Sequence, residues 1–188
     1  MTPAQAVTAD NAWRLVEEYT ESPVLRRHML SVAAAMKAYA RKHGEDETRW
    51  EVAGILHDFD FERFPHEHPH SNRRLLLEMG WPADLVEDIY SHGDVGLPRD
   101  TPIRKALFAV DELCGFIIAC ALVKPDRSLS AVEPATVRKK MKDKAFARAV
   151  HREELLKGAE VLGLPFDDHV VAVRDALIPI ADRLGLNP

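Results

Sequence analysis

Cysteine is nearly absent from this chain, which carries Cys114 and Cys120 alone. Standing six residues apart on one expected helix, they lie on different faces and cannot bridge each other, so they read as small buried apolar side chains of a reducing compartment. Long hydrophobic runs are missing as well. None approaches the roughly 20 residues that a bilayer span requires, and Met1 to Asp10 has neither a basic n-region nor an apolar h-region. A cytoplasmic protein without a membrane partner is the expectation. Excess positive charge is also lacking. A net charge of −5 disfavours a dedicated nucleic-acid or anionic-membrane binder, because such partners are drawn by positive potential. Internal repeats, low-complexity tracts and flexible linkers are not found either.

What the chain does have is an ordinary globular composition, 46% apolar and 29% charged over 188 residues, enough for one domain with a sizeable core. Helical periodicity recurs and alternating strand patterns do not, so the fold class expected is all-α. Ser22-Pro23 is a cap followed by proline at the first helical position. The apolar series Leu25, Met29, Val32, Met36, Tyr39 follows until Gly44. A second helix is expected from about Asp46 to Leu56, with His57-Asp58 at its C-terminal end; Gly54 within it implies a close helix approach. Phe59 to Pro69 reads as a loop, followed by helices over Ser71 to Met79 and Pro82 to His92. Thr101-Pro102 opens a long helix with Leu107, Val110, Asp111, Cys114, Ile117 and Ile118 on its buried side. Further helices are expected near Val137 to Lys142, from about Ala145 to Leu162, and from Asp167 to Leu184 with a kink at Pro179.

Chemistry concentrates at His28, the pair His57-Asp58, His92 and Asp111. Imidazoles and carboxylates are the side chains that hold a hydrated divalent cation. Asp111 sits in an otherwise apolar helix face, where a lone carboxylate would lose its charge or cost several kcal/mol, and a nearby cation removes that cost. His92, ending a helix before Gly93, also suits the negative end of a helix dipole. His43, His151 and His169 read as solvent-facing or local.

The order of a lone His, then His-Asp, then a distant Asp resembles the HD superfamily of metal-dependent phosphohydrolases. Ala-Gly-Ile-Leu-His-Asp-Phe-Asp-Phe-Glu, Pro-His-Glu-His-Pro-His, Ser-His-Gly and Lys-Ala-Leu-Phe-Ala-Val-Asp-Glu-Leu make it similar to a small bacterial subgroup of HD hydrolases. The motifs run from about Val24 to Leu129, and similar subgroup proteins continue through Lys139 to Arg152. The resemblance implies a helical bundle with additional C-terminal helices: a single HD domain over 1–188, its metal-binding core about 22–129 and an extension about 130–188. It also implies His28, His57, Asp58 and Asp111 as ligands of one metal. Some HD proteins add two histidines for a second metal, here matched by His68 and His92, with Asp58 bridging; His66 and His70 are weaker alternatives to His68. The cofactor implied is a divalent transition metal, Fe, Mn, Ni, Co or Zn, as one ion or two.

Asp58, Asp60 and Glu62 are the candidate catalytic carboxylates, the last two able either to orient a ligand imidazole or to take a proton from attacking water. Phe59 and Asp60 replace the Ile-Gly of the familiar His-Asp-Ile-Gly-Lys form, and Glu62 and Arg63 leave no lysine there. That departure argues against direct transfer of cyclic-dinucleotide or nucleotidase specificity. Lys139, Lys140, Lys144 and Arg152, in a basic run that also reads as a solvated helix face, are the candidate contacts to a substrate phosphate. The expected function is hydrolysis of a small phosphate ester, a nucleotide among the candidates, by metal-activated water. The alternatives are a di-iron oxygenase of the HD fold and a non-catalytic ligand-binding module.

Overall fold

Side-chain caps decide where the first three helices begin. In the computed structural model, which describes residues 5–188, Thr8 accepts a hydrogen bond from the Asn11 N–H and starts α1, Ala9–Tyr19. Ser22 does the same for Leu25 at the start of α2, Pro23–His43, with Pro23 at its first turn. Gly44 ends that helix in the left-handed region at φ 69°, which glycine reaches without strain. Asp46 accepts from the Thr48 and Arg49 N–H groups and opens α3, Glu47–Leu56. Then come α4, His70–Glu78; α5, Ala83–Tyr90; and α6, Pro102–Leu122. Four further helices follow: α7, Pro134–Met141; α8, Arg152–Leu162; α9, Phe166–Leu177; and, after a 3-10 turn over Ile178–Ile180, α10, Ala181–Leu184. The fold is all-α: among the described residues the one pairing of strand type is an isolated bridge between Ser128 and Asn187. No helix among them is long and apolar enough to cross a membrane.

Three sequence expectations need correcting. Helix α1 was not expected, although Ala12, Leu15 and Val16 form a short buried stripe on it. The helix expected from Ala145 begins only at Arg152. Ala147 sits at φ 41°, outside the helical region, and the Arg152 guanidinium donates to the carbonyls of Asp143, Phe146, Ala147 and Val150, adding to the turn bonds that Phe146 and Val150 N–H already give Asp143 and Ala147. His169 is not solvent-facing. It is fully buried, with Nε2 hydrogen-bonded to the Ala109 carbonyl at 2.9 Å.

The described chain falls into two compact units, one reaching Leu107 and one from Phe108 to Pro188, so the division lies inside α6. In the first, α3 is central and packs against α1, α2 and α5, while α4 packs against α5. Gly54 makes the α2 approach possible: a Cβ there would lie 2.6 Å from Ala33 Cα. Asp88 on α5 accepts from Arg49 of α3 at 2.8 Å and from Arg104 at 2.9 Å, fixing α5 to the helix that carries His57. In the second unit, α9 packs against α7 and α8, and Gly158 lets α8 approach the backbone at Ala109. Cys114 and Cys120 are buried free thiols. Burial pushes the Cys120 thiol up to about 11, against the opposing pull of Lys140 and Lys124, which leaves it unreactive near neutrality.

Candidate metal centre

Two helix ends present imidazoles in the same way. His57 caps the C-terminus of α3, and its Nδ1–H donates to the Gly54 carbonyl three residues back at 2.8 Å. His92 follows the end of α5, and its Nδ1–H donates to the Ile89 carbonyl at 2.7 Å. A carbonyl only accepts, so in each neutral ring the proton is on Nδ1 and the lone pair on Nε2. Arg99 donates to the carbonyls of Ser91, His92 and Gly93, satisfying the open end of α5.

His28 comes from the second turn of α2, whose entry is fastened to the segment after His57-Asp58. Glu62 accepts from the N–H groups of Glu21 and Ser22 at 2.9 and 3.0 Å. The buried Thr20 hydroxyl donates to the Phe59 carbonyl at 2.9 Å. His68 comes from the turns before α4. Its Nδ1–H donates to Asp60 at 2.9 Å, so its Nε2 also faces inward as a lone pair. Exposed Phe61 meets the His68 ring edge-on, with centroids 5.4 Å apart.

These rings converge on Asp58. The Nε2 atoms of His28 and His57 stand 3.1 Å apart, and each lies 3.6–3.7 Å from Asp58 Oδ2. The Nε2 atoms of His68 and His92 stand 3.0 Å apart, at 3.2 and 3.6 Å from Oδ1 of the same carboxylate. Asp58 therefore divides its two oxygens between two histidine pairs. Lone pairs facing at 3.0 Å repel, and a cation or a proton between them turns the repulsion into attraction. The donor set fits a divalent transition metal in each half.

The electrostatics agree. Burial works against the charge on Asp58, but the imidazoles around it, His57 first, then His68 and His92, then His28, hold its carboxyl well below the ordinary carboxylate range. Burial likewise opposes ionisation of Asp60, while hydrogen bonds from His68, Ser71 and Asn72 lower it. Burial resists protonation of His68, yet Asp58 and Asp60 together raise it to about 9. Without a metal, these carboxylates recruit a proton to the place where a cation fits.

The first unit thus brings together His28, His57, Asp58, His68 and His92. Asp60 is fully buried and touches His68, whereas Glu62 is occupied at the entry to α2. His66 is exposed, and His70 Nδ1 is hydrogen-bonded with the Tyr90 hydroxyl at 2.6 Å. Asp111 belongs to the second unit, half-buried on α6 beside buried Val110 and Cys114. In that unit Lys139 and Lys144 are exposed, Lys140 lies over the Phe146 ring, and Arg152 is committed to backbone carbonyls. Glu112, His151 and Glu154 form a further group there, with His151 Nδ1 2.9 Å from Glu112. Thr20, Ser71, Asn72 and Arg99, which hold the ligand-bearing backbone, were not among the sequence candidates. Thr20, Ser71 and Asn72 are small polar residues near helix starts that resemble ordinary caps, and Arg99 is a loop arginine with no local signal of its own.

Among known proteins, the profile of the HD domain matches residues 25–186 of the chain. No curated protein and no solved structure matches it.

Proposed function

The chain belongs to the HD-domain family, and from that premise we propose that it hydrolyses a small phosphate ester, with nucleotides among the candidates, through two metals that share Asp58. Members of the family are in general metal-dependent phosphohydrolases. The observation that carries the reading is the division of the Asp58 carboxylate between two pairs of inward-facing Nε2 atoms. His28, His57 and Asp58 Oδ2 would hold one cation, and Asp58 Oδ1, His68 and His92 the other. Asp111 is proposed as a further ligand on the strength of the motif order alone. When bound, a divalent cation lowers the pKa of water and polarises a phosphoryl oxygen, the two demands of phosphoester hydrolysis.

The remaining residues have supporting parts. Asp60 fixes the His68 tautomer and makes its Nε2 the better donor. Glu62 holds the entry of α2, and through it His28, in register with the His57-Asp58 turn. Lys139, Lys140 and Lys144 are proposed to neutralise substrate phosphate. The same paired cluster suits two irons, which keeps oxygen chemistry as the second reading.

Asp58→Ala tests the assignment. Metal content measured by elemental analysis and turnover on a panel of phosphate esters should fall together. The loss in turnover should exceed the roughly 10–100-fold typical of outer-shell changes. Unchanged hydrolysis of every active ester would refute the assignment. Turnover that persists without oxygen supports hydrolysis, and oxygen consumption coupled to substrate supports the di-iron reading.

A further inference from the structure

Asn72 is fully buried near the start of α4 and has no counterpart in the motif order. Its side-chain amide donates to the carbonyls of Leu56 and His57, each at 2.8 Å, and to Asp60 Oδ1 at 3.2 Å. Two amide protons thus serve three acceptors. The carbonyls belong to the end of α3, whose last turn leaves carbonyls without intrahelical donors, and one of them is that of His57 itself. The carboxylate belongs to Asp60, which fixes His68. One side chain therefore touches the supports of both halves of the cluster. Its own Oδ1 is buried with no hydrogen-bond partner among the described residues. Ser71, also buried, donates its hydroxyl to Asp60 Oδ2 and reaches only the His68 half.

Resting on the two-metal reading above, we propose that Ser71 and Asn72 are positioning residues for the cluster: Asn72 sets both histidine pairs, and Ser71 sets His68 alone. Asn72 fixes the peptide that places His57 and Asp58. With Ser71 it also locks the Asp60 carboxylate in the rotamer that receives the His68 Nδ1–H. A ligand ring held this way offers its Nε2 at a defined angle, and outer-shell partners of this kind change metal affinity by roughly 10–100-fold.

The test is equilibrium dialysis of chelator-stripped protein against Co(II), followed by visible absorption, on wild type, Ser71→Ala and Asn72→Leu. Circular dichroism reports whether each variant is folded. Wild type should bind two cobalt ions per chain. Ser71→Ala should keep one at wild-type affinity and weaken the other about tenfold or more, and Asn72→Leu should weaken both by at least that factor. Wild-type affinities in both folded variants would overturn the positioning roles while leaving the two-metal reading in place. One cobalt or none in wild type would overturn that reading, and the proposal with it. If Asn72→Leu does not fold, Ser71→Ala decides: selective loss of one cobalt supports the proposal, and retention of both at full affinity overturns it.

Discussion

At the scale of single residues, His68 has the most distinctive chemistry, because two carboxylates raise it to about 9 when only a proton is available. A metal ligand must be the neutral imidazole, so binding displaces that proton. At pH 7 metal uptake should release about one proton from His68, and affinity should rise with pH up to about 9. Calorimetric titration of Mn(II) in buffers of different ionisation enthalpy measures this, and an uptake independent of buffer would contradict it. The sign for stability is opposite. The folded value lies above the ordinary 6.5, so the metal-free chain has this contribution in full below about 6.5 and loses it as pH rises through about 9. The convergence of His28, His57, Asp58, His68 and His92 was legible in the sequence because imidazole and carboxylate have few other reasons to gather. Asn72, Ser71 and Thr20 were not. Their importance lies in which distant carbonyl or carboxylate they meet, and no local pattern encodes that.

At the scale of elements, the crossing of α2 and α3 decides whether His28 and His57 face each other. Gly54 sits at that crossing, and a methyl group there would meet Ala33 Cα at 2.6 Å and Ala33 N at 2.7 Å. Both are backbone atoms that cannot step aside. Gly54→Ala should therefore cost about 1–3 kcal/mol in urea denaturation despite alanine's better helix propensity, and it should weaken metal binding by pushing the two rings apart. A variant as stable as wild type would show that the helices tolerate the added volume. Ser22-Pro23 and Asp46 were legible as helix starts because their side-chain caps are local events, and Thr101-Pro102 because proline suits a first helical turn. The turns over 143–150 were misread, since Arg152 reaches back from α8 to satisfy their carbonyls. Helix α1 escaped notice because its buried stripe is only about one turn long, and its packing partner is α3.

For the whole molecule, metal binding at the proposed centre would be linked to folding, since the unfolded chain has no such cluster. Free metal at about 100 times its dissociation constant adds about 2.7 kcal/mol per site. In a protein of this size that amounts to a rise of about 5–10 °C in the thermal midpoint. Chelation should lower the midpoint by that amount, and readdition should restore it; scanning calorimetry with and without chelator makes the comparison, and an unmoved midpoint would mean that the folded chain does not bind. The all-α class was legible from periodicity alone, but the division at Leu107 and Phe108 was not, because the apolar pattern of α6 runs through it unbroken. The shared carboxylate has a further effect on loading. If two cations bind as proposed, each changes the affinity of the other by the same factor, because their binding free energies are reciprocal. With two like charges flanking one anion, that factor lies below one, so occupancy climbs in two steps and a half-filled chain persists over a range of free metal concentration.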